Sequence, residues 1–143
     1  MTNSQKTLEF KFERTFPALP ERVFDDWLSL YFLGSLWHSA DRGEKLLLDP
    51  KVNGFFYCRF KGIPHYGRFT EMERPGRIQH TWVSPNTLGE ESIVTLTFTK
   101  QGEDTLMTLV HSGIPDTDAG SGQENDWNSV LDSFPNVYFV RGR

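Results

Sequence analysis

From Glu44 to Ser112 the chain strings together six extended segments, and this run constrains the fold more than any other feature. Glu44 to Leu48 is closed by Asp49-Pro50, and Asn53-Gly54 is a strong turn signal before the aromatic-rich Phe55 to Lys61. Gly62 and Pro64 turn the chain into Tyr66 to Glu73, and Arg74-Pro75-Gly76 turns it again. Ile78, His80 and Trp82 then share one face of a strand, with Arg77, Gln79 and Thr81 on the other. After a loop from Ser84 to Gly89, Val94, Leu96 and Phe98 alternate with threonines, and Gln101-Gly102 leads into Thr105 to Ser112. Links this short leave no room for a crossover helix, so the strands pair antiparallel. An earlier strand, with Leu8, Phe10, Phe12 and Phe16 at spacing two, brings the number to about seven.

Helical patterns are few. Pro20 suits a first helical turn, and Val23, Phe24, Trp27 and Leu28 recur at helical spacing behind it. A second short helix is expected over Leu30 to Leu36. Gly113 to Gly122 reads as a loop rich in Gly, Pro and Asp. A last helix is expected from near Gln123, with Trp127, Leu131, Phe134 and Tyr138 on one face and a kink at Pro135. The class is therefore α+β, a curved antiparallel sheet with two short helices and one long C-terminal helix. Strand twist makes such a sheet curl. One helix across its concave face is expected to leave a hollow, and concave apolar hollows are where small molecules bind.

Composition excludes several alternatives. The 143 residues are read as one domain, 1–143, and 20 aromatic side chains are incompatible with a disordered chain. No run of about 18 apolar residues is present, which argues against a membrane-spanning helix. A formal charge of −4 argues against nucleic acid as a partner. The single cysteine, Cys58, precludes a disulfide within the chain, and no apolar signal core follows Met1, so a cytoplasmic location is expected. Gly120-Ser121-Gly122 lacks the parallel strand and further glycines of a phosphate-binding loop. His65, His80 and His111 come from separate strands without metal-ligand spacing, so neither a metal nor another cofactor is expected. No Gly-x-Ser-x-Gly nucleophile turn is present.

The motifs, in order, resemble the START-like (SRPBCC) superfamily, in the branch of homologues of the activator of heat-shock protein 90 ATPase. Phe12-Glu13-Arg14-Thr15-Phe16 with Glu21-Arg22-Val23-Phe24 is similar to that branch's opening strand and first helix. Asn53-Gly54-Phe55-Phe56 resembles a Gly-Gly-x-Phe turn with Asn53 in place of the first glycine. Thr81-Trp82, His111-Ser112-Gly113 and Asp126-Trp127 followed by Leu131 resemble its central hairpin, last strand and last helix. The resemblance implies a helix-grip fold (Bet v 1-like, START-like). It does not imply one function, since the superfamily includes lipid carriers, cyclases and co-chaperones.

Strand alternation and the resemblance together give the candidate cavity lining: Arg14, Phe56, Cys58, Phe69, His80, Trp82, Leu96, Met107, Leu109, His111, Trp127 and Leu131. Trp37 and His38 are expected at the mouth. Arg14, His80 and His111 would supply the few polar contacts. The leading expectation is a non-enzymatic protein that binds a small hydrophobic or aromatic molecule. One alternative is a co-chaperone-like partner of a heat-shock ATPase. Another is a cyclase or hydrolase that uses His80 as acid or base. Leu106 and Val110, together with Phe55 and Tyr57, are expected to form an outer patch for a homodimer or chaperone contact.

Overall fold

The computed structural model describes residues 6–28, 47–60 and 63–133. Strand β1 (Thr7–Phe16) is followed by helix α1 (Pro20–Asp26), then β2 (Leu47–Leu48), β3 (Phe55–Phe60), β4 (Ile63–Glu73) and β5 (Arg77–Trp82). A single 3-10 turn at Pro85–Thr87 leads to β6 (Ser92–Gln101), β7 (Asp104–Pro115) and helix α2 (Asp118–Ser133). The seven strands form one sheet in the order β1-β7-β6-β5-β4-β3-β2, and every pairing is antiparallel. The antiparallel pairing is that expected from the run of short turns, and the whole is the α+β helix-grip arrangement that the resemblance implies. The second short helix, Phe134, Tyr138 and the Pro135 kink lie outside the described residues, as do Trp37 and His38.

Period-two alternation decides which residues enter the core. Val94, Leu96 and Phe98 of β6 are buried, as are Thr105, Met107, Leu109 and His111 of β7. They meet Phe12 and Phe16 of β1, Ile78 and Trp82 of β5, and Trp127, Val130 and Leu131 of α2 in one apolar cluster. On the opposite face Thr70 donates to Gln79, and Gln79 donates to Thr95, so the convex side is polar across its middle.

Three boundaries differ from the sequence expectation. No ten-residue loop separates the last strand from the last helix. β7 runs to Pro115, and α2 starts at Asp118, five residues before Gln123. Thr117 caps it, accepting the Gly120 N–H at 3.0 Å on its hydroxyl. Gly120 is inside this helix because of space: a Cβ there would lie 2.1 Å from the Pro115 carbonyl oxygen. Gly120, which read as part of a loop signal, is thus a close-packing signal, and Gly120-Ser121-Gly122 is helical. Second, β4 begins at Ile63 and contains Pro64. Pro64 lies beyond the last β4–β5 bridge, Tyr66 to Val83, so its missing N–H is not needed there. Third, the outer apolar patch divides. Phe55 and Tyr57 are on β3, four places from β7 in the sheet, about 19 Å from Leu106 and Val110 at the usual strand spacing. They cannot form one surface with them.

Candidate functional site

Seven ring side chains gather where β3, β4, β5 and β7 face α2. Trp82, at the end of β5, is the hub. Its ring lies 4.9 Å from His65, 6.0 Å from His80, 6.1 Å from His111, 5.8 Å from Phe56 and 5.4 Å from Trp127, measured between centroids. Phe69 closes the group against Phe56 and His80. Local sequence dictates this convergence. His65 and Phe69 fall on the inner face of β4, with Gly67 between them, and Phe56 sits opposite Gly67 on β3. A Cβ at Gly67 would lie 2.1 Å from the Thr81 carbonyl oxygen and 2.8 Å from the Phe56 ring. Only glycine lets β3 and β5 bring their rings together there.

A directed chain of hydrogen bonds ties the cluster to α2. Trp127 Nε1, which can only donate, donates to His111 Nδ1 at 2.9 Å. His111 Nδ1 therefore carries no proton, and the neutral ring has its hydrogen on Nε2. Nε2 then donates to Ser92 Oγ at 2.7 Å, and Ser92 Oγ donates to the Trp82 carbonyl at 2.7 Å. In parallel, Trp82 Nε1 donates to Gln123 Oε1 at 3.2 Å. His80 Nδ1 donates to the Thr81 carbonyl at 2.8 Å, which makes it the opposite tautomer to His111. Burial holds all three imidazoles neutral. Desolvation pushes His65 and His80 down to about 4, and desolvation with the neighbouring His80 and His65 pushes His111 down to about 3.

This polarity has a chemical consequence. An activated serine needs a histidine that accepts its proton. Here the indole of Trp127 occupies the position that orients such a histidine, and it forces His111 to donate to Ser92. Ser92 and His111 form a clamp and not a nucleophile pair. The three histidines do converge, but on the Trp82 indole; among the described residues no group of His, Cys, Asp and Glu side chains could hold a metal.

The expected lining residues fall into three groups. Phe56, Phe69, His80, Trp82, Leu96, Met107, Leu109, His111, Trp127 and Leu131 all face the interior between sheet and α2, each with at most 2% of its surface accessible. Arg14 is on the inner side of β1 but reaches the rim. It donates to Asn128 Oδ1 at 2.9 Å and to Asp132 Oδ1 at 3.2 Å, pinning β1 to α2. Cys58 is paired with His65 in the β3–β4 ladder, and its side chain lies outside the described residues, as Trp37 and His38 do entirely. Ser92 and Gln123 are the residues the sequence reading missed. The signal was present: Ser92 is the one polar position in the inner row Ser92, Val94, Leu96, Phe98, and Gln123 lies one helical turn before Trp127. A separate shallow groove of about 350 Å³ lies at Pro17, Ala18, Leu19, Arg22 and Glu103, away from this cluster and open to solvent.

The family profile described as Activator of Hsp90 ATPase homolog 1-like protein matches residues 17–138. The chain belongs to this family. Members and their structural neighbours share its fold across most of its length. An HSP90 activator from Plasmodium falciparum is 25% identical, with a TM-score of 0.74 over 94% of this chain and 96% of its own. A protein from Rhizobium loti is 22% identical, with a TM-score of 0.74 over 94% of this chain and 99% of its own. A protein of the dynemicin biosynthetic locus is 16% identical, with a TM-score of 0.74 over 94% of this chain but 48% of its own. No curated protein matches the sequence significantly. The family assignment places the chain in the START-like superfamily. Among the described residues no helix is long and apolar enough to cross a membrane.

Proposed function

We propose that this family member binds a small, uncharged, apolar or aromatic molecule between the sheet and α2, in the cytoplasm, without transforming it. The observation that carries the reading is the ring cluster around Trp82. Phe56, Phe69, Trp82 and Trp127 offer faces and edges for aromatic contact. The polar atoms of His111, Ser92, Gln123 and the Trp82 indole are satisfied by one another. None of the cluster side chains carries a charge at neutral pH, so an ionic ligand would be desolvated there without a counter-charge. The cluster is closed to water, with exposures of 0–2%. A ligand therefore enters by displacing α2 or a neighbouring segment. The reversed Ser92–His111 polarity favours binding over hydrolysis.

Native mass spectrometry of freshly purified protein tests this directly. A co-purifying neutral small molecule is expected. Saturation at about 100 times the dissociation constant should stabilise the fold by about 2.7 kcal/mol. No retained molecule, together with no thermal shift across a panel of neutral aromatic compounds, would end the proposal.

A second reading, docking of a protein on the convex face, rests on one observation. Leu47 (52% exposed), Phe55 (68%) and Tyr66 (49%) occupy outer positions of β2, β3 and β4, with Leu47 opposite Tyr57 and Tyr57 opposite Tyr66. Such a contiguous apolar strip is characteristic of contact surfaces. Substituting Phe55 by Ser should abolish chaperone capture in a pull-down if this face docks a heat-shock ATPase; unchanged capture would reject it.

A further inference from the structure

We propose that His111 is a proton-operated latch that holds α2 on the sheet: the neutral imidazole locks the helix through Trp127, and protonation releases it. The geometry carries this. Trp127 is the largest side chain that α2 places in the core, and its indole N–H can only donate. Its acceptor, Nδ1 of His111, is the one atom that must take up the proton when the imidazole charges. Protonated His111 would set Nδ1–H against Nε1–H, donor facing donor, with Nε2 still committed to Ser92. The other polar pins on α2 do not resist this at the same point. Gln123 holds Trp82, Asn86 reaches Asp126 at 3.5 Å, and Arg14 holds Asn128 and Asp132 at the exposed rim.

Among the described residues no opposite charge offsets a proton there. Among the described residues the titratable groups acting on His111 are His80 of β5 and His65 of β4, which lower its affinity for a proton and supply no negative charge. From β6 it faces Ser92, and from α2 it faces Trp127, neither of which titrates near neutral pH. On β7 its inner-face neighbour is Leu109, and β1 pairs Phe10 with it. Asp126 and Asp132 of α2 are turned to Asn86 and Arg14.

The sign of the pH effect follows from linkage. The latched His111 has its affinity for protons lowered to about 3, against about 6.5 when exposed, so the open form binds more protons below pH 6.5. Latch strength is full above that value and falls as pH drops through the window towards 3. From these two values the opening equilibrium of α2 should rise about 25-fold between pH 7 and pH 5.

The latch does not depend on the ligand reading, and its test uses the ligand-free full chain. Hydrogen exchange, normalised for the intrinsic pH dependence of amide exchange, is followed residue by residue by NMR from pH 7 to pH 5. The α2 amides and the Trp127 indole proton are expected to lose protection together, about 25-fold, and to exchange faster at each pH than the β6–β7 amides, whose protection follows global stability. Exchange of the α2 amides at the rate of the β6–β7 amides at every pH, or α2 protection that does not change with pH, would overturn the proposal. His111→Asn supplies a non-titrating acceptor to Trp127. It should make α2 protection flat across the same range, and an unchanged pH response in that variant would also overturn it. Should that variant not fold, the wild-type comparison of helix with sheet decides alone.

Discussion

Replacing Ser92 by Ala isolates the hydrogen-bond chain with almost no change in shape. Ser92 is 1% exposed and its hydroxyl does two things: it accepts from His111 Nε2 and donates to the Trp82 carbonyl. Deleting it leaves the His111 N–H buried without an acceptor, which costs about 1–3 kcal/mol. Losing the bond to the Trp82 carbonyl adds roughly 1 kcal/mol. The expected loss is therefore about 2–4 kcal/mol, several times that of a surface Ser→Ala change. In a chain of this size it corresponds to a fall in Tm of about 6–12 °C. Urea unfolding followed by tryptophan fluorescence and by circular dichroism should give this difference with an unchanged m-value. A loss under about 1 kcal/mol would refute the donor chain. It would mean that the His111 N–H does not depend on Ser92 for its acceptor. The nitrogen chemical shifts of His111 report its tautomer independently.

Gly67→Ala should be among the most damaging single changes, costing about 3 kcal/mol or more, because its Cβ would meet the Thr81 backbone 2.1 Å away; a Tm unchanged within 2 °C, on the scale of about 2–4 °C per kcal/mol for such a chain, would contradict the close approach of β4 and β5. Arg14→Leu should cost no more than about 1 kcal/mol, since Arg14 is 29% exposed and its partner Asp132 is 70% exposed; a larger loss in chemical denaturation would show that this pin carries the helix. Global stability should fall as pH drops below 6.5, because His65 and His80, held neutral at about 4 by burial, take up protons on unfolding. Stability measured at pH 7 and pH 5 that is equal would refute the burial of neutral imidazoles.

Much of this was legible in the chain itself, and the reason is local. Short turns at Asn53-Gly54, Arg74-Pro75-Gly76 and Gln101-Gly102 leave only antiparallel pairing, and period-two alternation tells which side of β5 and β6 faces inward. His80 and Trp82 are assigned to the interior on that ground, Met107, Leu109 and His111 through the family resemblance, and each is buried. The start of α2 was misplaced because a glycine has two meanings. Flexibility and close approach leave the same letter, and only the 2.1 Å between a Cβ at Gly120 and the Pro115 oxygen separates them.

What tertiary structure alone decided is the pairing between elements far apart in sequence. Periodicity gives a face but no partner, so nothing in the chain predicted that Trp127 would donate to His111, or that Ser92 would receive the proton on its other side. Those two contacts set the tautomer, and the tautomer turns a serine and a histidine that could have been reactive into a clamp. The sheet order likewise separated Phe55 from Leu106, although both lie on outward positions. Which strand lies beside which, and which nitrogen carries a hydrogen, are properties of the packed chain, because they depend on distances that exist only after it has folded.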